Sequence, residues 1–161
     1  MTKPLKTRVV NAVEKARAVA EREPKKAAQS ARDLLKAVAE PLKIIRMILP
    51  AADHERIDLC DSVAEACLTC QVAYARETRD WTASTELLDS AAQIAESTET
   101  RSRIQENRAL VKSAALMDPL FKECEHAVKA VEKDPATGDK AAQRLLSSAP
   151  AMLAQLESSD V

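Results

Sequence analysis

A single glycine, Gly138, stands in a chain of 161 residues, and nothing constrains the fold more. Glycine supplies the positive-φ backbone of tight strand hairpins and bulges. With one glycine, a Gly-rich loop that cradles nucleotide phosphates is excluded. Alanine dominates instead, with 30 copies; it favours helix and lets helix backbones approach closely. β-branched runs are scarce, which argues against strands. The expectation is an all-α fold of antiparallel helical hairpins, stacked as a repeat or a bundle, with about seven helices in one domain over residues 1–161. The aromatic residues are Tyr74, Trp81 and Phe121. The core must therefore be Leu, Ile, Val and Ala. That suits layered helices better than a wide cavity around a cofactor, and no cofactor is expected.

Periodicity marks the helices. Pro4 suits a first turn, and Leu5, Val9, Ala12 or Val13, Ala16 and Val19 form a stripe that ends at Arg22-Glu23-Pro24. Ala28, Ala31, Leu35, Val38, Leu42, Ile45 and Leu49 form the next. Its phase crosses Pro41, so the helix either kinks there or restarts in register. Pro50 to Asp53 is a boundary, with Asp53 as an N-cap. Ile57, Cys60, Ala64, Cys67 and Tyr74 form a third stripe, widened by Leu68 and Val72, which predicts cover from two neighbours. Asp80 is placed to cap a helix opening on Trp81. Trp81, Ser84, Leu88, Ala91 and Ala95 follow, beside Leu87 and Ile94. After a break at 97–100, Ile104, Val111 and Ala114 carry another helix. Asp118-Pro119 reads as a cap with proline at the first helical position. Asp134 to Gly138 is a loop, Asp139 a cap, and Pro150 a restart. Glu23-Pro24-Lys25-Lys26-Ala27-Ala28-Gln29 is faintly echoed by Asp134-Pro135 and Lys140-Ala141-Ala142-Gln143.

Asp80-Trp81 at a turn, then Ser84, Leu88 and Ala91, resembles the second half of a tetratricopeptide repeat. In that resemblance Trp81 opens the second helix, Ser84 stands where the family prefers alanine, and Ala91 is the small residue where helices meet. Tyr74 is then the aromatic of the first helix, with a turn one residue longer than the family's. The chain departs from the pattern at Gln71 or Val72, where a small residue is usual, and at Glu96, where the closing proline is expected. The match covers residues 65–116. It implies a noncatalytic scaffold with a groove lined by the first helices of successive hairpins, here residues 54–77 and 99–116. Asn107 lies near a position where peptide-binding members present asparagine. Arg103 and Lys112 flank it, and the three form the expected partner-binding set, able to hold a carboxylate through charge-assisted bonds.

Charge is unevenly placed. Residues 1–49 carry a net +7, residues 50–116 a net −5 and residues 117–161 a net −3. Either the basic N-terminal helices pack on the acidic body or are simply solvated, or they meet an acidic partner, an anionic membrane or nucleic acid. Five carboxylates (Glu14, Glu21, Glu23, Asp33 and Glu40) interrupt the basic residues, which favours the first reading. The lack of aromatics argues against stacking on single-stranded nucleic acid. Residues 1–23 lack the continuous apolar core of a signal peptide, and no run reaches transmembrane length. A cytoplasmic location with reduced thiols is the expectation.

Three constellations invite chemistry. Cys67-x2-Cys70, with Cys60, Cys124 and His126, has zinc-like composition. Its first pair sits mid-helix rather than on converging turns, so no metal is expected. Glu123-x2-His126 is half of a di-iron motif without its other half. His126-Ala-Val-Lys129-Ala130 resembles the His-x-Leu-Lys-Gly core of histidine phosphotransfer domains, with alanine in place of the glycine. No nucleophile triad surrounds either histidine. The reading is a noncatalytic protein- or peptide-binding module without a small-molecule substrate. The alternatives are a phosphotransfer intermediate at His126 and a basic arm docking on a membrane or nucleic acid.

Overall fold

The computed structural model describes residues 3–157. It is all-helical, with no strand among the described residues. Six α-helices follow in order: α1 Lys3–Arg22, α2 Ala27–Ile48, α3 His54–Thr78, α4 Trp81–Ile94, α5 Thr98–Lys133 and α6 Gly138–Glu157. One-turn 3-10 helices, Pro24–Lys26 and Pro135–Thr137, lead into α2 and α6. The faint sequence echo marks these two turns: each opens on a proline whose fixed φ and missing N–H suit a first turn. The chain divides into two compact units, 1–109 and 110–161.

The first unit holds α1 to α4 and the start of α5. Short connections make α1 and α2 one antiparallel hairpin and α3 and α4 another. α3 is central, packing on α1, α2 and α4. It runs beside α1 in the same direction: Lys6 pairs with Glu55, and Arg17 with Glu65 at 3.6 Å. The Cys70 thiol donates to the Ala16 carbonyl at 3.6 Å. In a closed up-and-down four-helix bundle α1 and α3 would face each other on a diagonal. Here they are neighbours along their length. The seam explains the third stripe. Cys60, Ala64 and Cys67 are fully buried, and Val63, Ala66 and Cys70 extend the buried surface onto a second side.

The capping arguments hold at α3 and α4. Asp53 accepts the N–H of Arg56 at 3.1 Å, and Asp80 accepts that of Ala83 at 3.0 Å. The other Asp80 oxygen takes the Tyr74 hydroxyl at 3.1 Å, which ties the helices across their turn. Arg79 ends α3 in the left-handed region, at φ 52°. Most chains place glycine or asparagine there. Gly138 instead has a right-handed helical backbone, φ −56°, and opens α6. The chain's one glycine is not used for its conformational freedom, and the positive-φ position among the described residues is held by an arginine.

Six α-helices stand among the described residues where about seven were expected, and the prolines account for the difference. α2 passes through Pro41 unbroken. α5 passes through Pro119 and α6 through Pro150. Asp118 does not cap a new helix: its carboxylate turns forward to Lys122, one turn on, at 2.6 Å, a pairing that supports a continuing helix. Asp134 accepts the Ala136 N–H at 3.1 Å and caps the last connection. Asp139 therefore lies inside the first turn of α6, where a negative charge suits the helix dipole.

Because Pro119 lies within α5, the Ala115 carbonyl has no N–H donor one turn on. Pro119→Ala restores that donor and should raise stability by about 1–3 kcal/mol in urea unfolding. A helix that began at Pro119 would instead be unaffected or weakened by the same change.

Candidate functional site

The junction between α4 and α5 is fastened by a carboxylate that reaches four places at once. Glu96, with a side chain only 12% exposed, accepts from Arg46 Nε at 2.9 Å and from Arg56 Nε and Nη2 at 2.9 and 3.0 Å. The Cys60 thiol adds a 3.5 Å contact. Arg46 also donates to the Ile94 carbonyl at 2.9 Å, and Arg56 to the Leu49 carbonyl at 3.3 Å. Asp61 accepts the backbone N–H groups of Glu96 and Ser97 at 2.8 and 3.2 Å. Ser97 caps α5 by accepting the Thr100 N–H at 3.1 Å. The ends of α2 and α4 and the starts of α3 and α5 thus meet at one point.

Burial pushes the Glu96 carboxyl up, but hydrogen bonds from Arg56, Arg46 and Cys60 outweigh it and hold it below its ordinary value. Asp61 behaves alike: burial raises it, and bonds from Ser97, Glu96 and Thr100 bring it lower. Arg56 is raised through its bond to Glu96.

From this anchor α5 is clamped along its first turns. Ile104 is fully buried. Arg103 pairs with Glu65 of α3 at 2.7 Å, and Arg108 pairs with Asp89 of α4. Glu65 also receives Arg17 of α1, so one carboxylate links α1, α3 and α5. Beside that link a surface cleft of about 380 Å³ opens along α3. Leu68, Val72 and Ala73 of α3 give it an apolar floor, and Ala20 and Glu21 of α1 form one wall. Arg76, Arg103 and Asn107 supply the opposite, cationic and amide side.

Of the expected binding residues, Arg103 and Asn107 line this cleft. The Asn107 amide donates to the Arg103 carbonyl at 2.9 Å, which fixes its orientation. Lys112 is exposed and belongs to the second unit. Sequence reasoning missed Glu65, Arg76 and the contribution of α1. Glu65, Thr69, Val72 and Arg76 recur at helical spacing on α3 and were the available signal.

The cysteines sit in unlike settings. Cys60, Cys67 and Cys70 are buried and Cys124 half-buried, all as free thiols. Burial pushes Cys67 up to about 12, aided by Cys70. It pushes Cys70 up to about 11 against the pull of Arg17. No group of three or more His, Cys, Asp or Glu among the described residues is placed to hold a metal ion. In the second unit, exposed His126 borders a cleft of about 300 Å³ with Lys140 and Arg144. Glu123 holds Arg144 at 2.9 Å. No helix among the described residues is long and apolar enough to cross a membrane. Comparison with protein-family models, curated proteins and solved structures finds no match for this chain.

Two predictions follow from this geometry. Glu96→Gln strands two arginines around a neutral amide and should cost about 3 kcal/mol at pH 7. Because the Glu96 and Asp61 carboxyls are lowered on folding, their contribution is complete above the unfolded values near pH ~4 and is lost as pH falls through the folded ones. The melting temperature of the native chain should drop below that pH, and the Glu96→Gln variant should show a shallower drop. Separately, native protein should react with an aromatic disulfide reagent first at Cys124, with Cys67 and Cys70 modified only as the protein unfolds.

Proposed function

We propose that this chain is a noncatalytic, tetratricopeptide-like interaction module that holds a partner protein or peptide in the cleft along α3. The observation that carries this reading is the lining of that cleft: an apolar floor from Leu68, Val72 and Ala73 beside Arg76, Arg103 and Asn107. Such a surface suits a segment with one apolar anchor and a carboxylate, from an acidic side chain or a chain end. Arg103 engages Glu65 through Nη1, and a guanidinium has further N–H donors for a ligand carboxylate.

The arrangement of helices supports the same reading. α1, α3 and the start of α5 are the first helices of successive hairpins, and all three contribute to the cleft. The resemblance is one of stacking rather than unit length. α3 alone has 25 residues, whereas a tetratricopeptide unit fits two helices into about 34. Four of the twelve basic residues at 1–49 are turned to the body rather than left for docking on a membrane or nucleic acid. Lys6, Arg17, Arg32 and Arg46 are each paired with a carboxylate of α3 or α4 or of the junction after α4. Phosphotransfer at His126 is the second reading, favoured by its exposure beside Lys140 and Arg144. Phosphohistidine in mass spectra after incubation with a phosphodonor would establish it.

Selection of peptides from a random display library, followed by calorimetry, tests the module. Selected peptides should share an acidic or C-terminal carboxylate next to an apolar residue. Val72→Glu and Arg76→Glu should each weaken binding by about tenfold or more, with melting temperature little changed. Peptides that bind both variants as well as the native chain would sink the assignment.

A further inference from the structure

Outside the cleft, the second unit presents an apolar surface with no core to account for it. Among its residues with described side chains only Val111 and Asp118 are buried. The half-buried seam between its helices is thin: Leu120, Cys124, Ala127 and Val131 on α5, and Ala141, Leu145 and Ser148 on α6. Meanwhile Phe121 is 53% exposed, Val128 56%, Leu146 75% and Leu153 47%.

Helix geometry places these four together. A helix advances about 100° per residue. The cleft at His126, with Ala130, Lys140 and Arg144, marks one face of the hairpin. Phe121 and Val128 lie about 70–90° from the centre of the seam on the other side of α5, one above the other at a spacing of seven. Leu146 and Leu153 lie beyond the seam on the same side of α6, also seven apart. One face of the hairpin therefore carries His126, Lys140 and Arg144, and the opposite side carries Phe121, Val128, Leu146 and Leu153. A two-helix layer of this kind needs a second layer to bury its apolar side.

We propose that a second copy of this chain supplies that layer, so that two α5–α6 hairpins meet face to face as a four-helix bundle. Size and charge both point to this occupant. α6 has 20 residues, about 30 Å of helix, and two helices side by side span about 20 Å. The footprint is roughly 600 Å² before side-chain corrugation, close to the ~800 Å² per partner of a stable interface. A single helix covers half that width, whereas an identical hairpin matches both dimensions. Along the outer rim of α5, Lys122 (held by Asp118), Glu125, Lys129 and Glu132 alternate in sign. A two-fold axis brings the same patch against itself, and an alternating rim has registers that set opposite charges together, whereas a rim of one sign repels in every register.

Sedimentation equilibrium on the full chain tests the proposal. The expected mass is twice the chain mass of 17.5 kDa. Phe121→Glu and Leu146→Glu should each raise the dimer dissociation constant by about 100-fold or more. Helical circular dichroism guards against simple unfolding, and Phe121→Ala with Leu146→Ala provides a milder pair. Met47→Glu, at an exposed apolar residue of the first unit, should leave the dimer intact. A native chain that is monomeric at high micromolar concentration overturns the proposal. So does a dimer that survives both glutamate variants, or one that Met47→Glu dissolves.

Discussion

Glu96 is the residue on which the first unit depends. Two arginines from different helices, a thiol and a backbone junction all converge on its position. Ion pairs at a protein surface contribute little because water and salt screen them. This one is largely withdrawn from water, and its partners are themselves tied to the carbonyls that end α2 and α4. Its main effect is geometric. It fixes where α5 begins and in which direction it leaves, and Asp61 adds to that by holding the Glu96 and Ser97 amides.

That placement is what makes a cleft beside α3. Arg103 and Asn107 stand on α5 about two turns past the junction, so a small rotation there would carry them off the cleft. Ile104 and the pairs from Arg103 and Arg108 keep the register. Leu68, Val72 and Ala73 are contributed by the far side of the same α3 helix whose other faces fill the core. The central helix thus fills the core with some faces and lines the cleft with another.

Much of this was legible in the sequence. One glycine and many alanines excluded strands, and the caps at Asp53 and Asp80 marked two helix starts because a short acidic side chain before an apolar run has a specific local partner. Asn107, expected from the tetratricopeptide resemblance, and Arg103, expected from its helical spacing beside Asn107, line one cleft. Other features were hidden for physical reasons. Pro119 and Pro150 read as breaks because proline opposes helix, yet the surrounding turns continued through them. Glu96 read only as a departure from a pattern. Its partners, Arg46 and Arg56, lie 50 and 40 residues away, and no periodicity within one helix reports a charge pairing across three. The pairing of Glu65 with Arg17 and Arg103 was hidden for the same reason, although its helical spacing with Val72 and Arg76 was readable.

The shared carboxylate also bears on how such a chain can drift. Where three side chains depend on one another, replacement of any one leaves the others mismatched, and the cost of a second change depends on whether the first has occurred. Arg46, Arg56 and Glu96 should therefore be inherited as a set, exchanged together for apolar residues or kept together. Proline at position 96 would remove both the carboxylate and the N–H that Asp61 accepts. A lineage holding this junction by charge has no easy single-step route to one holding it by proline.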